Sequence, residues 1–248
     1  MIKFLIAFAP PPALPRQACL AHYRDKHGAL VASVPEFRRE VRAYLQNEVI
    51  LGAPCDAPSP AIAGVSELWF DDWQRYQEAF SGARYLAEIR PDEERFADLA
   101  TVLVAFAEDR ALFGGEGVPR YKLFGFWEPQ EELKAAEFEQ RWADYGAALT
   151  ADEGVRAHAT AYVQNHAVPP EENPFPFGHV FAGIDEFWLD RVQDVDIVAA
   201  RQMHHALRAG LVTASSAGLL RFATEVRAMP GFGNPVPPGA NGPDPRKG

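Results

Sequence analysis

Cysteine is nearly absent. The 248 residues hold two, Cys19 and Cys55, with no metal-ligand spacing and no disulfide framework. A reducing cytoplasm is the compartment that fits. Basic residues are also short: 24 Lys and Arg against 34 Asp and Glu leave a formal charge of −10. That balance excludes ordinary nucleic-acid binding, which rests on neutralising phosphates, and attachment to an anionic membrane surface. Missing too are a P-loop, a dinucleotide fingerprint, an HExxH pair and a nucleophile elbow. No apolar run approaches the roughly 20 residues that a membrane span needs. Residues 1–9 are apolar, but the run is brief and stops at three prolines without a small-residue cleavage site, so a first strand is expected rather than a signal sequence.

What the chain does have, it states twice. Tyr44-Leu45-Gln46-Asn47 returns 118 positions later as Tyr162-Val163-Gln164-Asn165. Val65-Ser66-Glu67-Leu68-Trp69-Phe70-Asp71 returns 119 positions later as Ile184-Asp185-Glu186-Phe187-Trp188-Leu189-Asp190. A slip of one residue over that distance is a small insertion within a repeated module. The expected organisation is a first module over 1–113, a linker rich in glycine, a second module over 119–229, and a Pro/Gly-rich tail over 230–248.

Periodicity fills in each module. In the first, strands are expected at 2–9, 39–49, 62–70 and 101–106, with a helix at 15–33 ended by Pro35 and another after Asp71-Asp72, which can cap it. A short helical piece at 92–100 precedes the last strand. The second half repeats the order, with strands near 121–127, 157–168, 179–189 and 219–227 and helices near 132–149 and 193–209. The order β-α-β-β-α-β is the ferredoxin-like unit, so the fold class is α+β.

Alternation along a strand puts residues two apart on one face. The more apolar face receives the helices, so the other is expected to carry Tyr44, Gln46, Glu67 and Trp69, and in the second half Tyr162, Gln164, His166, Glu186 and Trp188. Aromatic rings with a few polar groups suit the wall of a chamber, and two such sheets closed together would enclose a small-molecule cavity. Asn47 and Asn165 are expected to point away from it.

His27-Gly28-Ala29-Leu30-Val31, Tyr44-Leu45-Gln46-Asn47 and Val65 to Asp71, with Asp92-Glu93-Glu94-Arg95-Phe96 before the last strand, resemble the EthD domain of the dimeric α/β-barrel superfamily. The resemblance runs along nearly all of the first half. In the second it is good only at the two central strands, as in a diverged copy. It implies two ferredoxin-like units sharing one barrel within one chain. For activity it implies the range of cofactor-free dehydratases, cyclases and isomerases of polyketide or lactone compounds.

The candidate chemistry follows. His27 would be an acid or base at the barrel mouth, beside a glycine that ends its helix; a histidine held by the helix dipole is the structural alternative. Tyr145-Gly146 stands in its place in the second half, which speaks against two equivalent sites. Glu67 and Glu186 would be carboxylates raised in pKa by burial, or members of a structural polar network. His166 would join Tyr162 and Glu186, or reach solvent at a strand end. Tyr44, Gln46, Trp69, Tyr162, Gln164 and Trp188 would bind substrate. His204-His205 and His22 read as surface residues, with no metal site. The expected function is a cofactor-independent lyase or isomerase acting by acid–base steps on a small hydrophobic carbonyl, polyketide-like or aromatic compound. The alternatives are a carrier for a hydrophobic metabolite and an oxygenase-type barrel, for which His166 is the one conceivable haem ligand. Association of two such chains would be favoured by an exposed Trp73 or Trp142.

Overall fold

The computed structural model describes residues 1–52, 62–128, 133–168, 181–212 and 219–235. Residues 53–61, Cys55 among them, and most of the expected tail lie outside them. The elements of the first half are β1 (Ile2–Phe8), α1 (Arg16–His22), a π-helical turn (Tyr23–His27), α2 (Gly28–Ser33), α3 (Pro35–Glu40), β2 (Val41–Val49), β3 (Gly64–Phe70), α4 (Trp73–Ser81), a second π-helical turn (Tyr85–Ile89), α5 (Arg90–Glu93) and β4 (Leu103–Phe113). The second half holds β5 (Tyr121–Trp127), α6 (Ala135–Ala151), α7 (Glu153–His158), β6 (Ala161–Ala167), β7 (Gly183–Leu189), α8 (Asp194–Arg208) and β8 (Leu219–Ala228).

The eight strands close into one antiparallel barrel in the order β1-β3-β2-β8-β5-β7-β6-β4. Each half therefore contributes its fourth, first, third and second strands in that sequence, and the halves meet at two seams, β2 with β8 and β4 with β6. Closure removes every free sheet edge. Helices cover the outside, giving one apolar layer under the first half's helices and another under the second's. Among the described residues no helix is long and apolar enough to cross a membrane.

Several boundaries differ from expectation for local reasons. Val34 is extended (φ −93°, ψ 100°) and Pro35 opens α3, so the proline starts a helix as well as closing one. β4 runs seven residues past the expected end at Phe106 because its charged stretch, Glu108-Asp109-Arg110, stays paired with β6. Asp72 caps α4 by accepting from the Arg75 N–H at 2.9 Å. Gly28 does not end a helix. It is helical (φ −58°, ψ −41°), and its lack of a side chain allows close approach: a Cβ there would lie 2.2 Å from Met229 Cε and 3.1 Å from Gln46 Nε2. Trp142 is buried and Trp73 half-buried, so neither forms an exposed outer patch.

Candidate functional site

Register decides which side chains enter the barrel. Directly opposite residues of an antiparallel pair share a face. β2 lies on β3 with Tyr44 opposite Leu68, Leu45 opposite Glu67 and Gln46 opposite Ser66. β6 lies on β7 with Val163 opposite Glu186 and Gln164 opposite Asp185. Glu67, Trp69, Glu186 and Trp188 thus face inward. Tyr44, Gln46, Tyr162, Gln164 and His166 face the helices, one parity away from the expected shared wall. Asn47 and Asn165 point into the barrel, not away from it.

Inside, four fully buried charges alternate in a ring. Lys122 Nζ reaches Glu67 Oε1 at 2.6 Å and Glu186 Oε2 at 2.8 Å; Lys3 Nζ reaches Glu67 Oε2 at 2.6 Å and also Glu186 Oε1. Asn47 and Asn165 each donate to one of these carboxylates at 2.9 Å. Lys3 lies 4.6 Å from the centre of the Trp69 ring and Lys122 5.3 Å from that of Trp188. Burial alone would raise the Glu186 carboxyl, but Lys122 and Lys3 outweigh it and hold the group far below the usual range. The Lys3 ammonium, which burial would depress, is held above its usual range by Glu186 and Glu67. Glu186 is therefore a fixed anion, not a carboxyl poised for proton transfer. Around the ring, Leu5, Val65, Phe124, Phe126, Ile184 and Phe222 pack the interior.

His27 lies elsewhere, in the cleft between the first half's helices and the outer face of its sheet. The π-helical turn that ends at His27 adds one residue to the helix, a device common at functional sites. It brings His22 and His27, five apart, onto one carboxylate: His27 Nδ1 is 3.1 Å from Asp92 Oδ2 and His22 Nε2 is 2.8 Å from Asp92 Oδ1. His22 is thus a partner of this cluster and not a free surface residue. Burial lowers the His27 pKa, opposed by Asp92, so the imidazole is neutral at pH 7. With Nδ1–H donating to Asp92, Nε2 is the basic atom.

Glu93 lines the same cavity. Its side chain is 17% exposed, and Tyr85 donates to both its oxygens at 3.2 and 3.3 Å. Burial raises its carboxyl to about 7, against the pull of Arg90 and Tyr85. Tyr44 and Ser66, 3.4 Å apart, add two hydroxyls, and Phe4, Ile6, Val31, Phe37 and Phe80 are among the apolar walls. The cavity measures about 40 Å³.

The matching cleft of the second half is filled. Asp185 takes the place of Ser66 and receives Tyr145 and Tyr162 hydroxyls at 2.8 Å, Trp127 Nε1 at 2.9 Å, Trp142 Nε1 at 3.1 Å and Gln202 at 3.4 Å. Burial still raises it to about 6. Tyr145 occupies the position corresponding to His27. His166 packs against Trp142 with tilted rings, centroids 4.8 Å apart, and faces Glu139 at 3.5 Å, so the expected cluster with Tyr162 and Glu186 does not form. That ring has no approach to the barrel interior that a haem ligand there would need. His205 bonds Asp152 at 2.8 Å while His204 is exposed, and among the described residues no group of three ligand side chains could hold a metal ion.

Sequence reasoning passed over Lys3, Lys122 and Asp185 and gave no role to Asp92 and Glu93. The two lysines had a signal: each is the lone charge in its half's first strand, 119 positions apart.

Residues 11–100 match the EthD domain, a stretch that contains His27, Asp92 and Glu93. No curated protein matches the chain in sequence. Among solved structures, an anthrone oxidase-like protein superposes with a TM-score of 0.57 at 9% identity, covering 92% of this chain and 93% of that one. A candidate monooxygenase from Fusobacterium nucleatum subsp. nucleatum gives 0.54 at 9% identity, covering 95% and 97%. An EthD family protein from Bacillus halodurans is 24% identical, covering 44% of this chain and 98% of its own, with a TM-score of 0.33. At these identities the first two likenesses concern the fold.

Proposed function

With residues 11–100 an EthD domain, we propose that the first cleft is the active site of a cofactor-independent lyase or isomerase acting on a small, hydrophobic carbonyl compound. One observation carries the reading: a neutral imidazole fixed by a carboxylate and a second carboxyl with a pKa of about 7 line one apolar cavity. Proton transfer is most effective when the group's pKa lies near the working pH. His27 Nε2 takes the proton beside the carbonyl, Asp92 holds the ring and stabilises the imidazolium, and Glu93 gives a proton to the departing oxygen or, in ring closure, to the oxygen of the carbonyl that is attacked. The Tyr44 and Ser66 hydroxyls donate to the developing enolate oxygen. Tyr44 is held above its ordinary range, at about 12, by burial, so it acts as a donor and not as a base.

The second half supports the site and does not duplicate it. Asp185 and its five donors take the space in which a substrate would lie. We read the chain as two copies of one unit, 1–113 and 119–229, of which the first kept the chemistry.

Hydrogen–deuterium exchange of 2-tetralone in D2O, followed by NMR, tests the proton-abstraction step with a defined bicyclic ketone. The protein is expected to accelerate exchange next to the carbonyl, and His27→Asn and Glu93→Gln to lose about 100-fold or more. Binding without accelerated exchange would favour the carrier alternative. Equal rates in the protein and both variants would overturn the assignment. The neighbours whose names point to oxidation leave the same first step in place, since removal of that proton generates the carbanion which either chemistry uses.

A further inference from the structure

A cavity of about 40 Å³ holds little more than one water, whereas small-molecule pockets run to about 300–1,000 Å³. If the cleft takes a substrate, one of its walls must move. The lining residues all belong to the first half, but Tyr44 and the stretch beside His27 are backed by a segment of the other half that few main-chain bonds hold in place. β8 pairs with β2 as far as Ala228 opposite Leu45, and the chain then leaves the ladder at Met229-Pro230. It turns at Gly231 (φ +88°) and crosses the outer side of β2 on two main-chain bonds, Met229 N–H to Tyr44 O at 3.0 Å and Gly233 N–H to Arg42 O at 2.9 Å.

Two side chains of this strap reach the cleft's surroundings. Met229 is 4% exposed and belongs to the first half's apolar layer, its Sδ and Cε lying against Gly28, the residue after His27. The Phe232 ring stands edge-on to that of Tyr44 with centroids 5.6 Å apart. The second half provides the contrast. There Leu112 lies against Gly146 and Phe113 against Tyr162, but both belong to β4, which remains laddered to β6 through Phe113. The segment packed on Tyr162 in the filled half is a strand; the one packed on Tyr44 is a strap.

We infer that Met229–Gly233 is the gate of the first cleft, with Met229 and Phe232 as the side chains that a ligand displaces on entry. The inference rests on reading that cleft as a binding site. Methionine suits the part, because its unbranched thioether refills irregular space at small cost. A site assembled from one half and gated by the other also gives a reason for both to share one chain.

Stopped-flow binding of 1-aminoanthracene, a neutral aromatic fluorophore, tests this on the full chain. Phe232→Ala removes the ring packed on Tyr44. Gly233→Ala would bring a Cβ to 2.7 Å from the Arg42 carbonyl oxygen and lift the strap without altering the cleft. Both variants are expected to raise the association rate about tenfold and to tighten Kd, because the strap that the ligand must displace is already loosened. Val31→Phe, which fills the cleft, is expected to abolish binding. Unchanged rates in both strap variants, with binding still sensitive to Val31→Phe, would overturn the gate and leave the active-site reading standing. Failure of the probe to bind, or binding indifferent to Val31→Phe, would overturn the reading of the cleft and the gate together.

Discussion

Glu93 carries a pH signature that follows from its surroundings. The folded protein keeps its proton up to about pH 7, while the unfolded chain releases it near the ordinary value of 4.5. Between those values the unfolded state binds fewer protons, so stability falls as pH rises. The contribution is fully present below pH 4.5 and lost by about pH 7. A shift of this size corresponds to about 3 kcal/mol. Glu93→Gln should abolish that slope and be more stable than the parent, in relative terms, at pH 8 than at pH 4; urea denaturation at the two values checks it. Neither Glu93 nor Asp92 could be given a role from sequence, because what perturbs Glu93 is burial under Tyr85 and its neighbours, brought together only by the fold. His27 stood out beside its glycine, but its place in a helix–sheet cleft depends on a π-helical turn that periodicity does not reveal.

At the scale of elements, the two central strands of each half were legible because they repeat, and their alternation gave the correct pairs of faces. Which face of β2 joins which face of β3 was not legible. Parity depends on register, and a shift of one residue exchanges every side chain between core and helix layer. The same register sets how closely helices approach. In the second half, α6 rests on β7 through Trp142 against Gly183, where a Cβ would lie 2.5 Å from the ring. A rigid indole cannot yield as a flexible chain end does. Gly183→Ala should cost about 1–3 kcal/mol, the usual range for overpacking, and shift the fluorescence of the buried tryptophans. Gly28→Ala meets the flexible ends of Met229 and, at 3.1 Å, of Gln46, and should cost less. Thermal denaturation of the two variants side by side checks the ranking.

The molecule as a whole is tied together through its charged ring. The Lys3–Glu186 and Lys122–Glu67 pairs each join one half to the other across the barrel interior. Removing one partner leaves a buried charge uncompensated, so Lys122→Met should destabilise by about 3–5 kcal/mol. Replacing all four with apolar residues of similar size should recover much of that loss, in the same denaturation experiment. Glu67 and Glu186 were conspicuous in the sequence as acids among aromatic residues, and a structural network was one of the two readings. Its partners were not foreseen, since each lysine sits in a strand more than 50 positions from the nearer glutamate. With these carboxylates committed to the ring, the proton-transfer groups of this account are those of the first cleft.

The central claim is that the cleft holds a carboxyl able to exchange protons near neutral pH. Carbon-13 NMR titration of the Glu93 side-chain carboxyl in the full chain, assigned by its loss in Glu93→Gln, tests it most directly. A midpoint near 7, moving when 2-tetralone is added, is the result the account predicts. A midpoint near 4.5 that ignores the ketone would contradict it.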